Sequence, residues 1–183
     1  QEGLFQHFTT IADAVPMPLV LYNVPGRTVV DLLPETVARL AAHPGIVALK
    51  EATGSVARIE DLKARVPDDF ALLSGEDGMN VALMEAGCVG VISVTANVVP
   101  AAMAALCEAA LAGDFAKARE PDAPLAALHE ALFHELQEHP LLPAVVAGIA
   151  GGEFPGPVEG QAQALKLRPH GIDVGVGPLG RGH

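Results

Sequence analysis

The stretch that most constrains the fold is a continuous apolar run that ends in a lysine, Ile46 to Lys50. Pro44-Gly45 precedes the run, and Gly54 follows it closely. A short apolar run between turn signals is typical of a strand that is buried on both faces, as in a parallel sheet. Lys50 would then lie at the carboxyl end of such a strand, where open α/β sheets and α/β barrels place their catalytic residues.

A lysine in this position supports two interpretations. An ammonium group in a desolvated site loses its proton more readily, and the neutral amine can attack a carbonyl carbon to form a Schiff base. Alternatively, the side chain extends from the strand end into water or pairs with the adjacent Glu51. The stretch alone favours the second interpretation, so the choice depends on what the other strand ends carry.

Helices and strands alternate around this stretch. Apolar runs predict three further strands, at residues 19–22, 70–74 and 89–94. Helical spacing of apolar residues predicts helices at about 3–14, 80–86, 100–112 and 115–136, the last interrupted near Pro121 and Pro124. Two further helices are predicted to begin at Pro34 and after an N-cap at Ser55. This order predicts an α/β fold with parallel strands, a partial TIM (β/α)8 barrel made of about its last four units plus C-terminal helices. An open doubly wound sheet is the alternative, although no Gly-rich phosphate loop follows the strands.

The composition fits one α/β domain and argues against two classes of partner. The chain has 183 residues, half of them apolar, which is enough for a single core. Its formal net charge of −11 disfavours binding of nucleic acid or of anionic membranes. No apolar run reaches transmembrane length. We therefore expect neither nucleic acid nor a membrane among the partners.

The cysteines and histidines give no sign of a metal site. Cys88 and Cys107 lie in apolar runs, which predicts buried free thiols in a cytoplasmic protein. No Cys/His group has the spacing of a zinc site. His129 and His134 are five residues apart, do not share a helical face, and are expected to be solvated.

The character of the sequence changes after about Ala147. Glycines and two prolines then recur, at positions 148, 151, 152, 155, 156, 157 and 160. We expect residues 1–147 to form the barrel part and residues 148–183 to be a Gly-rich tail of loop or disordered chain.

Polar groups follow all four predicted strands, at Tyr22-Asn23, Lys50, Ser74-Gly75 and Ser93 to Thr95. Because the carboxyl ends of neighbouring parallel strands meet at one edge, these groups are expected to converge. A tyrosine near a lysine can relay protons during imine formation, and Arg27 is suited to holding a carboxylate. Ordinary solvation of a strand end explains each residue alone, but their joint placement favours a site.

Four motifs in this order and spacing resemble the signature segments of the 4-hydroxy-tetrahydrodipicolinate synthase (dihydrodipicolinate synthase) family. They are Tyr22-Asn-Val-Pro-Gly-Arg-Thr28, Lys50-Glu-Ala-Thr-Gly54, Leu73-Ser-Gly-Glu-Asp77, and Gly90-Val-Ile-Ser-Val94 with Ala96-Asn97. The resemblance covers about residues 1–135. It implies the C-terminal half of a class I, Schiff-base TIM barrel of the N-acetylneuraminate lyase superfamily.

The resemblance also implies roles for individual residues. Lys50 would form an imine with pyruvate, and Tyr22 would relay protons and position the bound pyruvate. Arg27 would hold the carboxylate of aspartate 4-semialdehyde, and Gly75 and the backbone of Ile92 would line the pocket. No metal or organic cofactor is implied.

The implied function is condensation of pyruvate with aspartate 4-semialdehyde, in lysine and diaminopimelate biosynthesis, by a cytoplasmic homo-oligomer that is commonly a tetramer. The family's barrel has eight strands, and the missing half would carry a paired-threonine pyruvate loop and a second relay tyrosine. We therefore expect a truncated chain whose activity is in doubt, and a non-catalytic fragment or pseudoenzyme is one alternative. Another is a sibling pyruvate-dependent aldolase of sugar acids, although Arg27-Thr28 favours the synthase over the sialic-acid lyase.

Overall fold

A parallel three-stranded sheet is the centre of this computed structural model, which describes residues 1–134, 166–168 and 171–173. The strands are β1 (Leu19–Asn23), β2 (Ile46–Glu51) and β3 (Ala71–Ser74), in the spatial order β1-β2-β3. Both pairs are parallel, and each crossover carries a helix. All three strands were predicted from their apolar runs, and all three end within one residue of the predicted position.

Helices precede and follow every strand of this sheet. In the described part of the chain they are α1 (Glu2–Ala14), α2 (Pro25–Thr28), α3 (Pro34–Ala41), α4 (Val56–Lys63), α5 (Asn80–Ala86), α6 (Pro100–Leu111), α7 (Phe115–Asp122) and α8 (Ala126–His134). Proline opens α2, α3 and α6, because the first helical position needs no amide donor. The predicted N-cap is confirmed at Ser55, whose Oγ accepts a hydrogen bond from the Arg58 amide at 3.3 Å.

The two faces of the sheet differ in burial. Leu21, Leu49 and Leu72 point into the helix layer, where they are at most 1% exposed. The opposite face, called the inner face here, carries Val20 and Tyr22, which are 42% and 46% exposed. In a closed barrel this face points into the interior, where apolar side chains are expected. The apolar side chains on the exposed inner face therefore agree with the prediction of a partial barrel.

The fourth predicted strand, 89–94, is reduced to a single bridge between Ser74 and Val91. Its backbone still follows β3, since Ile92 N donates to Ser74 O at 2.8 Å. The pairing stops there because the next amides, Val94 N and Thr95 N, donate to the Asp77 carboxylate at 2.9 and 2.8 Å. The chain then enters a 3-10 turn at residues 95–97.

The helix predicted at 115–136 is interrupted near Pro124, as expected: a 3-10 turn at 123–125 separates α7 from α8, because Pro124 cannot donate a backbone hydrogen bond. Pro121, the other predicted interruption, lies inside α7. In the tail, β4 (Lys166–Arg168) and β5 (Gly171–Asp173) form an antiparallel pair where loop was expected. The remainder of the predicted tail lies outside the described residues. Within the described ranges, no helix combines the length and the hydropathy needed to cross a membrane.

Candidate active site

Lys50 and Tyr22 form the centre of the candidate site. They are register partners on β2 and β1, so their side chains leave the inner face side by side. Lys50 Nζ lies 4.3 Å from the centroid of the Tyr22 ring, which is cation–π contact distance. The two residues predicted to act together are therefore in contact.

The alternative pairing of Lys50 with Glu51 does not occur. Successive side chains of a strand point to opposite faces, and Glu51 lies in the helix layer, 1% exposed. Its carboxylate Oε2 accepts a hydrogen bond from Arg58 Nε at 2.9 Å. In the part of the chain that the structure describes, Lys50 has no ion pair, and its amine is left facing the Tyr22 ring.

Gly75 lies against the stem of Lys50. A Cβ atom at this position would come within 2.8 Å of Lys50 Cε and 2.9 Å of Ala52 Cβ, distances that require atoms to move. Its amide donates to Glu51 O at 2.8 Å, which continues the β2–β3 pairing past the strand end. Glycine is thus required here so that β3 can approach the lysine closely.

Arg27 lies on α2, directly after β1, and Ile92 lies on the segment after α5 whose backbone pairs with β3. Arg27 is exposed on α2, and within the described ranges its guanidinium has neither a hydrogen bond nor an ion pair. Ile92 is held through its backbone amide, and its side chain is 43% exposed. Both residues therefore lie near the carboxyl end of the sheet, and no described side chain engages the Arg27 guanidinium.

A buried polar network behind β1 and β2 was not predicted. We call it the Arg58 cluster: Asn23, Asp31, Glu51 and Arg58. Asn23 Nδ2 donates to Glu51 Oε2 and to Asp31 Oδ1, both at 2.9 Å. The guanidinium of Arg58 forks onto the Asp31 carboxylate with two bonds of 2.9 Å. The sequence did contain a signal for this network, because a polar residue directly follows both Tyr22 and Lys50 in otherwise apolar strands.

A second network, the Asp77 cluster, lies on the other side of Lys50 and comprises Ser74, Asp77, Asn80, Thr95 and His129. Ser74 Oγ donates to Asn80 Oδ1 at 2.7 Å, and Asn80 Nδ2 donates to Asp77 Oδ1 at 3.1 Å. The prediction that His129 is solvated is wrong: it is 4% exposed, and its Nδ1 lies 2.8 Å from Thr95 Oγ1. The side chain of His134 lies outside the described residues.

The pKa values of two neighbouring carboxyl groups in this region are shifted in opposite directions. Burial raises the pKa of Glu76, and the Asp77 charge beside it raises that pKa further. Burial also disfavours the charged form of Asp77, but hydrogen bonds from Ser93 and Thr95 outweigh it and hold the pKa of Asp77 below its ordinary value. Asp77 is therefore a structural anion that fixes the loop bearing Ile92.

The described part of the chain also contains a cavity that is separate from Lys50. A cavity of about 340 Å³ lies between the turn at Glu76 and helix α8, lined in part by Asp122 and His129, and it does not include Lys50. No group of three or more His, Cys, Asp or Glu side chains among the described residues could hold a metal ion. Cys88 and Cys107 are free thiols, as expected, but only Cys88 is buried, and Cys107 is partly exposed.

Comparison with known proteins gives the family. The model of the dihydrodipicolinate synthetase family matches residues 1–149. The 4-hydroxy-tetrahydrodipicolinate synthase of Pseudoalteromonas atlantica is 54% identical over 143 residues, which are 78% of this chain and 48% of that relative. The synthase of Thiobacillus denitrificans is 47% identical over 182 residues, which are 100% of this chain, tail included, and 56% of that relative.

A solved structure gives the same result. The chloride-inhibited dihydrodipicolinate synthase of Acinetobacter baumannii, complexed with pyruvate, has a TM-score of 0.73 and 43% identity. The match covers 82% of this chain and 51% of that one. The chain therefore spans about half the length of the relatives that it matches, as expected for a partial TIM barrel. The chain belongs to the dihydrodipicolinate synthetase family.

Proposed function

We propose that this chain carries the Schiff-base half of a 4-hydroxy-tetrahydrodipicolinate synthase active site, with Lys50 as the amine that binds pyruvate. The observation that carries the proposal is the contact of Lys50 Nζ with the Tyr22 ring, together with the absence of an ion pair to Lys50 in the described part of the chain. A lysine without a carboxylate partner has an amine that no ion pair holds away from a bound keto acid. The relative from Acinetobacter baumannii, whose structure contains pyruvate, supports the choice of keto acid.

The reaction follows from an amine in this position. The Lys50 amine adds to the carbonyl carbon of pyruvate and water leaves, which gives an imine. The imine withdraws electrons, so the pyruvate methyl group loses a proton to give an enamine. Tyr22, whose ring contacts the amine, would relay these protons through its phenol hydroxyl.

The second half of the reaction uses Arg27. Its free guanidinium would hold the carboxylate of aspartate 4-semialdehyde while the enamine carbon attacks the aldehyde carbon. The amino group of the semialdehyde then adds to the imine carbon, the ring closes, and Lys50 leaves as the free amine. One water is released overall, and the product is 4-hydroxy-tetrahydrodipicolinate, an intermediate of lysine and diaminopimelate biosynthesis.

The experiment supplies ¹³C-labelled pyruvate with aspartate 4-semialdehyde and detects the labelled cyclic product by mass spectrometry. We expect product from the unaltered chain and none from Lys50→Arg, which keeps the charge but cannot form the imine. Product from sugar-acid aldehydes but not from aspartate 4-semialdehyde would identify a sibling aldolase instead. No product with any aldehyde would favour a non-catalytic chain.

As part of the same proposal, the protein acts in the cytoplasm as a homo-oligomer, commonly a tetramer. Support comes from the family and from the exposed apolar inner face, since exposed apolar surface favours association. Analytical ultracentrifugation over a range of protein concentrations would measure the state directly, and a monomer at all concentrations would refute this part.

A further inference from the structure

We infer that the Arg58 cluster positions the loop that carries Arg27 relative to Lys50, so that Asp31 and Arg58 are positioning residues for the second substrate. The inference rests on the proposed function, because Arg27 is the residue assigned to that substrate. It starts from the course of the chain: the loop leaves β1 at Asn23 and returns to the same cluster at Asp31 and Leu32. Both ends of the Arg27 loop are therefore held by one group of side chains.

Each end is held by several hydrogen bonds. At the start, the Asn23 amide group donates to both Glu51 and Asp31. At the return, Leu32 N donates to Asn23 Oδ1 at 3.0 Å, and the Arg58 guanidinium holds the Asp31 carboxylate through its two-bond fork. Charge-assisted, bidentate bonds of this kind are stronger and more directional than neutral ones.

The same cluster is tied to Lys50 through the backbone of β2. Glu51 follows Lys50 directly and is 1% exposed, and its carboxylate accepts bonds from Asn23 and Arg58. Asn23 and Glu51 are register partners one position beyond Tyr22 and Lys50. Any shift of the cluster would therefore move the Arg27 loop against the lysine.

Arg27 itself has no other support. It is exposed, and its guanidinium is without a hydrogen bond or an ion pair in the described ranges, so its position depends on the loop backbone. Within the loop, Arg27 N and Thr28 N donate to Val24 O at 2.9 and 3.1 Å, which makes a small rigid unit. The cluster orients this unit as a whole.

The test uses Asp31→Asn, which keeps the size of the side chain but weakens the fork to Arg58. Removing Arg58 instead would leave the buried Glu51 carboxylate without its cation and endanger the fold. Arg58→Lys is the second variant, because it keeps the charge beside Glu51 but cannot fork onto Asp31. Glu60→Gln, an exposed position on α4, is the matched control with the same change in net charge.

Two readouts are compared with the unaltered chain. Amide hydrogen exchange should be faster by about tenfold at residues 24–32 in Asp31→Asn and Arg58→Lys, and unchanged in β2 and β3. The KM for aspartate 4-semialdehyde should rise by about tenfold while the KM for pyruvate stays the same, because only Arg27 is displaced. Glu60→Gln should change neither quantity.

Exchange in residues 24–32 that matches the Glu60→Gln control would overturn the inference. So would a uniform increase along the whole chain, since the cluster would then serve general stability only. Equal changes in both KM values would also contradict a role specific to the second substrate. If the unaltered chain forms no imine with pyruvate but the loop still loosens selectively, the proposed function fails while the positioning of the loop stands.

Discussion

Gly75 has no room for a side chain because the stem of Lys50 fills the space beside it. The close approach links a backbone position on β3 to the lysine on β2. Since the side chain of Lys50 is flexible and Ala52 Cβ is not, an added methyl group would push the amine away from its place at the Tyr22 ring. The identity of residue 75 therefore controls where the amine points.

The prediction concerns Gly75→Ala. We expect reductive trapping of pyruvate on Lys50 to slow by roughly ten- to a hundredfold, because small misplacements of a reacting group have effects of this size. Gly78→Ala is the matched control, since nothing lies within 4 Å of a Cβ atom there. Equal trapping rates in the two variants would show that the amine tolerates the methyl group.

Glu76 and Asp77 allow a paired prediction, because their pKa values are shifted in opposite directions. Asp77 has a lowered pKa, so it stabilises the fold above about pH 4, and this stabilisation is lost as the pH falls through its folded-state pKa. Asp77→Asn should lower the free energy of unfolding by about 2 kcal/mol at neutral pH and flatten its acid dependence. Urea unfolding at a series of pH values measures both.

For Glu76, ionisation of the carboxyl group has the opposite effect on the stability of the fold. Its raised pKa means that the folded state favours the protonated carboxyl, so the charge is destabilising above that pKa. Glu76→Gln should therefore increase stability at neutral pH and have little effect below about pH 4, where the group is protonated in both states. A loss of stability at neutral pH would show that the Glu76 carboxylate makes a favourable contact.

At the scale of secondary structure, helix α2 ends in an unusual conformation. Val29 follows it with a φ of 59°, and its side chain is 91% exposed. A β-branched residue in the left-handed region is strained, and here no burial compensates for the strain. The strain lies two residues from Arg27, on the loop that the Arg58 cluster holds.

Val29→Gly should raise the free energy of unfolding by about 1 kcal/mol, because glycine adopts this conformation without strain. Val30→Gly, the adjacent control without a positive φ, should lower it by about 0.5–1 kcal/mol. Chemical denaturation of both variants tests the pair. If Val29→Gly were as destabilising as Val30→Gly, the left-handed conformation at residue 29 would be in doubt.

The elements that the sequence predicted are those whose signals are local. The apolar run before Lys50 and the Ser55 cap need only a few adjacent residues. The shortened fourth strand could not be predicted, because Asp77, 17 residues from Val94, takes the amides that would extend it. His129 was misjudged for the same reason: its partner Thr95 is 34 residues away.

In the candidate site, too, local signals predicted some residues, and contacts between distant residues were missed. Lys50, Tyr22 and Gly75 were predicted from the strand ends and the family motifs, and the structure brings them together. The Arg58 cluster was missed because its members are separated by up to 35 residues and only the folded sheet joins them. Motifs thus indicated the candidate side chains at the strand ends but not the side chains that hold them.

For the whole molecule, the main feature is the partial barrel. The chain spans about half the length of its relatives, and the inner face of its sheet leaves Val20 and Tyr22 partly exposed. Lys50 lies on this same face, so the chemistry of the amine depends on how well the described part shields it from water. The reactivity of Lys50 is therefore a measure of the whole fold.

The most direct measurement is borohydride reduction of the chain in the presence of pyruvate, followed by intact and peptide mass spectrometry. We expect one reduced pyruvate adduct per chain, located on Lys50 and absent from Lys50→Arg. A chain that is folded by circular dichroism and yet carries no adduct on Lys50, or carries it equally on exposed lysines such as Lys63 and Lys117, would contradict the proposed Schiff-base site.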